Sequence, residues 1–208
     1  MKHAIVLSTV LAILAIASGA NADIMTDNGL GFVDVVTIHA PGYLADSLTV
    51  YAGQFQVSYQ GKDYSAYCVD LAQYSGSGDV TRINVLDVPN GDKIAYLWDT
   101  YGPLVHDGQT AAALGSAIWE VRFETAGASD ISNGNFSISG NSAVAQLAQN
   151  MLNTLPAGPY TPAHPEYILQ SDSVQDLFIG SMAGEIPEPG TISLLAMGGL
   201  ALIRRRRT

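Results

Sequence analysis

The chain has 208 residues, 48% of them hydrophobic and 13% charged, with nineteen acids against nine lysines and arginines for a net charge of −10. Such a balance repels nucleic-acid phosphates and sets nucleic-acid partners aside. A single cysteine excludes an internal disulfide framework. The chain also has no phosphate loop, G-x-S-x-G elbow or H-E-x-x-H pair, so neither a cofactor nor a metal is expected.

From the start of the chain, Lys2 precedes an apolar stretch from Ala4 to Ala17, followed by Ser18-Gly19-Ala20-Asn21-Ala22. A basic start, an apolar run of this length and an Ala-x-Ala ending predict a secretory signal peptide over residues 1–22. Ala20 and Ala22 are its small cleavage residues, with the cut after Ala22. A spanning helix needs roughly 20 apolar residues, more than this run supplies. One exported globular domain is expected over residues 23–184, roughly 160 residues and enough for a proper core.

Within that domain the early segments alternate, and Phe32–Val36 and Ser47–Tyr51 predict strands. Residues 53–67 predict a hairpin, with QFQVSYQ and YSAYCVDL on either side of Gln60-Gly61-Lys62-Asp63. Ser77-Gly78-Asp79 and Asn90-Gly91-Asp92 read as turns rather than as calcium ligands. A short helix is predicted over 92–101. A longer one runs from Gln109 to about Phe123, capped by Asp107 and burying Ala113, Ala117, Trp119 and Val121. Ser142 to Leu155 carries Val144, Leu147, Ala148, Met151 and Leu155 at helical spacing and is closed by Pro156. The Pro-rich piece 156–165 is a loop, and 167–180 returns to strand-like residues. Strands, then helices, then strands predict an α+β domain. Its sheet is expected to be mainly antiparallel and barrel-like, with two or three helices. A signal peptide and a C-terminal apolar helix flank it.

Cys68 is an unpaired thiol in a chain expected to be exported, which fits either a small buried hydrophobe on a strand or a reactive group. Tyr67-Cys68-Val69-Asp70 is followed some fifty residues on by Ala117-Ile118-Trp119-Glu120. These two islands resemble the motifs of bacterial Cys-Gln thioester domains, loosely over residues 33–155. The resemblance implies a strand thiol facing a helix that carries Gln four residues before the Trp. The thiol attacks the Gln carboxamide, ammonia leaves, and the thioester waits for a partner's amine. Here that position is Gly115, which has no carboxamide. A substitute would have to be Gln109, about 9 Å further back along the helix, or Gln73, just beyond Cys68. A hydrolase reading would pair Cys68 with His106 or His164 as base. Val105-His106-Asp107 sits in a Gly/Pro loop and His164 among prolines. His3, His39, His106 and His164 are too scattered for a metal set.

The last twenty-two residues place Pro187-Glu188-Pro189-Gly190-Thr191 before the apolar run Ile192–Ile203 and the arginines Arg204, Arg205, Arg206 and Arg207. The prolines keep the first part extended and open to a protease. Twelve apolar residues reach about 18 Å as a helix, a marginal anchor for a hydrocarbon core of about 30 Å. The arginines snorkel to headgroups and hold that end on the cytoplasmic side. This order resembles the PEP-CTERM sorting signal of Gram-negative bacteria, over residues 185–208. The resemblance implies an exosortase, a membrane protease-transpeptidase, as partner, in bacteria that make exopolysaccharide or biofilm matrix. Removal of both signals leaves Lys62, Arg82, Lys93 and Arg122 as four cations against eighteen acids, a charge of −14.

The expected function is therefore that of a non-enzymatic exported protein of the cell surface or extracellular matrix, associated with exopolysaccharide or other matrix proteins. It would be held briefly at the inner membrane before processing. The alternatives are a covalent adhesin with an unorthodox thioester at Cys68 and a secreted cysteine hydrolase.

Overall fold

The computed structural model describes residues 23–43, 47–124 and 129–180. The expected signal peptide, with Ala20 and Ala22, lies outside them, as do the apolar tail and the sorting residues Pro187–Gly190 and Arg204–Arg207. Among the described residues no helix is long and apolar enough to cross a membrane.

β1 (Asp23–His39) and β2 (Ser47–Tyr59) run antiparallel from Met25 opposite Tyr59 to His39 opposite Ser47. β1 begins well before the predicted Phe32. Its first part lacks clean alternation because the register shifts on both sides of Leu30, near Gly29 at φ +100°. Pairing with β2, rather than side-chain pattern, makes this segment a strand. Gln60 and Gly61, both at positive φ, turn β2 into β3 (Lys62–Cys68) as a two-residue hairpin. This is the predicted hairpin.

β4 (Gly78–Asn84) takes up Gly78 and Asp79 from a predicted turn, since they pair with Met25 and Ile24. β5 (Ser137–Ser139) adds to the far end of β1. The stretch predicted as strand-like over 167–180 becomes β6 (Tyr167–Gln170) and β7 (Leu177–Ile179). The loop between them is held by Ser171 Oγ donating to the Asp79 carbonyl at 2.7 Å and by Ser171 N donating to Asp176 Oδ1 at 2.8 Å.

The seven strands are ordered β2-β3-β7-β6-β4-β1-β5, with β1 also paired to β2, and every pairing is antiparallel. The pairings therefore run in a ring, but the sheet is not a barrel. Its closing contact, β1 on β4, spans only Asp23–Met25.

Three helices lie between β4 and β6 in the chain. α1 (Gly91–Tyr101) follows Asn90, which stands at φ +58°. α2 (Gly108–Phe123) starts at the predicted cap, where Asp107 Oδ1 accepts from Thr110 N at 2.8 Å. α3 (Ser142–Leu152) is capped by Asn141 and stops short of the predicted Leu155. There Thr154 N and Leu155 N bond three residues back, to the Met151 and Leu152 carbonyls, tightening the last turn. α2 is buried on every side from Ala111 to Val121, packed on β1 and β2 and flanked by α1 and α3. It is the axis of the core rather than an amphipathic cover. Trp98 of α1 sits edge-on to Tyr67 and Phe178, at 5.9 and 5.7 Å between ring centroids. Its ring also fills the space where Gly180 would carry a side chain.

Candidate functional site

Cys68 closes β3 and is 2% exposed. It lies opposite Leu177 of β7, and Val69 N then donates to the Asp176 carbonyl at 3.0 Å. From there the chain turns away from β2. Asp70 Oδ1 accepts from Ala72 N at 2.7 Å, closing a tight side-chain-to-backbone turn. The turn aims the Asp70 carbonyl back at the thiol, and Cys68 Sγ donates to it at 2.7 Å. Gln175 Nε2 donates to the same carbonyl at 2.9 Å. Burial pushes the Cys68 thiol up to about 12, against smaller lowering influences from backbone hydrogen bonding at Asp70 and from the Trp119 indole. The indole N–H faces the sulfur, a weak acceptor, yet makes no hydrogen bond of full geometry.

Trp119 reaches this place because α2 approaches the sheet through small residues. A side chain at Gly108 would strike the Val33 carbonyl, and one at Gly53 (φ +131°) would strike the Phe32 carbonyl. A Cβ at Gly115 would stand 3.2 Å from Gly53 N and 3.4 Å from the Tyr67 ring. The position where the resemblance calls for Gln is thus a close helix–strand contact, directed at Gly53 and Tyr67. The neighbouring Glu120 is buried and accepts from Asp130 N at 2.9 Å.

Between the end of β3 and the first residues of β2 lies a cavity of about 470 Å³. Cys68, Trp119, Phe55, Ile38 and Leu71 form apolar wall, and Leu48 to Tyr51 of β2 line it consecutively. They do so because β3 pairs with β2 only from Gln54 onward, so the edge of β2 before Gln54 faces the cavity. Tyr43, Tyr51 and Tyr74 stand at its mouth, 41%, 59% and 73% exposed. Gln73, three residues past the Asp70 that closes the turn, also lines it. Gln109, in the first turn of α2, does not. Among the described residues the one charged group of the lining, Asp27, is occupied by its own turn, accepting from Gly29 N at 2.8 Å.

None of the described histidines lines this cavity. His39 Nε2 is bonded to Ser139 Oγ at 2.8 Å, His106 Nδ1 lies 2.8 Å from the Leu104 carbonyl, and His164 is exposed. Among the described residues no three His, Cys, Asp or Glu side chains stand together as a metal set would.

A second polar cluster lies where α1 meets the approach to β6. Tyr160 Oη donates to Asp99 Oδ2 at 2.7 Å, and its ring stands edge-on to Tyr96 at 5.3 Å. Beside Asp99, Glu166 is 1% exposed and neither of its oxygens has a hydrogen bond of full geometry. Burial, then the nearby Asp99 carboxylate, pushes Glu166 up to about 9. Nothing in the local sequence distinguishes this pair, since its members lie far apart in the chain.

Residues 185–207 match the family description of the PEP-CTERM protein-sorting motif, which takes in Pro187, Glu188, Pro189, Gly190 and Arg204–Arg207. No curated protein and no solved structure matches the chain.

Proposed function

We propose, with the sorting motif as premise, a non-enzymatic protein of the cell surface or extracellular matrix, built as signal peptide 1–22, globular domain 23–184 and sorting segment 185–208. The motif marks the chain as an exported exosortase substrate, delivered across the membrane toward the cell surface, and it is the observation that carries the reading. Exopolysaccharide or other matrix proteins are the partners this reading assigns to the domain. Two features support a domain that binds rather than reacts. The Cys68 thiol stays protonated at neutral pH, donating to the Asp70 carbonyl, and no described histidine lines the cavity to act as its base. Intact mass of the protein recovered from its host's matrix tests the sorting step. Loss of everything beyond the Pro-Glu-Pro segment is expected, and a retained arginine tail would make the protein an ordinary anchored one.

A second reading, a covalent adhesin, is favoured by one specific observation. The carboxamides of Gln73 and Gln175 line the same cavity as Cys68, and Gln175 shares a hydrogen-bond acceptor with the thiol. Alkylation of the unfolded protein separates the two readings. A free thiol at the full encoded mass supports the first, and a blocked thiol with one ammonia missing supports the second.

A further inference from the structure

We infer that Glu120 and the segment 129–136 form a proton-dependent clasp, in which the segment docks firmly on α2 while Glu120 is neutral and loosens when it ionises. Three side chains hold the segment between α2 and α3. Glu120 Oε1 accepts from Asp130 N at 2.9 Å, Gln149 Oε1 of α3 accepts from Ile131 N at 3.0 Å, and Glu124 Oε2 accepts from Asn135 N at 2.7 Å. Docked in this way, the segment buries Ile131 and Phe136. It also sets the Phe136 ring 6.0 Å from that of Trp119 and 6.3 Å from that of Phe123.

Of the three holders, Glu120 is the one whose charge has no answer. Its side chain is 0% exposed, and Oε2 has no hydrogen-bond partner. A buried anion is costly unless it is paired, and the charged groups that act on Glu120 are themselves acids. They are Glu124, one turn further along α2, and Asp130, in the segment itself. α3 and residues 125–128 carry no titratable side chain. Arg122, on the same helix, acts on Asp176 of the loop between β6 and β7. On α1, Asp92 and Asp99 accept from Tyr160; on β1, Asp27 and Asp34 accept from Gly29 N and Val35 N. Burial, opposed by the Asp130 N–H and reinforced by the two carboxylates, pushes Glu120 up to about 7 from an ordinary 4.5. The docked segment therefore binds the proton more tightly than a solvated Glu120 does. That contribution to docking is complete below pH 4.5 and is lost as pH rises through 7. Beyond that point the ionised Glu120 faces two acids that anchor the same segment. Lifting the segment gives Glu120 water and takes Phe136 off Trp119.

The test follows amide hydrogen exchange of the full chain from pH 4.5 to 8, each rate divided by the intrinsic rate at that pH. The amides of Asp130, Ile131 and Asn135 report the segment, together with Ile138, whose N–H donates to the Ile131 carbonyl at 2.9 Å. Ile168 and Phe178, paired across β6 and β7, serve as the reference. Protection of the segment is expected to fall roughly ten- to a hundredfold and to level off near pH 7, while the reference does not follow. Glu120→Gln keeps an oxygen for Asp130 N and cannot ionise, so the dependence is expected to vanish. Where that variant fails to fold, the carboxyl carbon shift of Glu120 in the unaltered chain gives the answer, with titration near pH 7 expected. The clasp is overturned if segment protection is flat over this range, if Glu120→Gln keeps the dependence, or if the Glu120 carboxyl titrates near 4.5.

Discussion

Compared with its second half, the first half of β2 sits in a different environment. From Ala52 to Tyr59 the strand is buried or half-buried throughout; Ser47 to Tyr51 alternates between exposed and half-buried. Both halves pair with β1 over their whole length, and only the second also pairs with β3. The neighbour makes the difference. β3 leaves at Cys68, where Val69 bonds to β7 and the Asp70 turn carries the chain off. An edge of β2 and a cavity are left in its place. Loss of one partner strand thus turns core into a half-exposed edge lining a cavity, without any change in the strand itself.

The junction of the two halves is where that contrast breaks most easily. Gly53→Val puts a β-branched side chain at φ +131° and against the Phe32 carbonyl. A loss of about 3 kcal/mol or more is expected in the denaturant midpoint. An unchanged midpoint would mean that α2 does not press on the sheet there. Gly115→Gln restores the carboxamide that the resemblance calls for. Its Cβ meets the backbone N of Gly53, which cannot yield as a side chain would. Strain of roughly 1–3 kcal/mol outweighs about 1 kcal/mol gained in helix propensity. The intact mass of this variant should show no ammonia loss, since the new side chain starts toward Gly53 and Tyr67.

Away from that junction, where α1 meets the approach to β6, pH reports a buried carboxyl. Glu166 holds its proton to about pH 9 in the fold and to about 4.5 in the unfolded chain. The fold therefore binds the proton more tightly. Its contribution to stability is complete below pH 4.5 and is lost as pH rises through 9. In Glu166→Gln this part of the slope should vanish, as read by urea midpoints across that window. A slope that persists unchanged would assign it to Glu120, pushed up to about 7 by burial, or to other groups. The smallest effect belongs to the open half of β2. Tyr51→Thr should shift stability by no more than about 0.5 kcal/mol, because the ring is 59% exposed.

Features encoded by neighbouring residues were legible in the sequence. Asp107 fixed the start of α2, the Gln60-Gly61 turn fixed the hairpin, and the spacing of Val144, Ala148 and Met151 marked α3. The absence of a carboxamide at Gly115 was equally plain. Features made by distant pairing were not. The first residues of β1, all of β4 and the three residues of β5 are strands because other strands bond to them. The cavity belongs to the same class: Cys68 and Trp119 stood out as motif residues, whereas Gln175 carried no local signal. Gln73 and Cys68 line the same cavity, with the Asp70 turn between them.

Gly180, pinned under the Trp98 ring, sets a leash length. Six residues lie between it and Pro187, and the seven steps from one to the other span at most roughly 25 Å. A body of about 150 residues has a radius of gyration of about 15 Å. The folded domain therefore hangs within about one of its own diameters of the point where the tail is gripped.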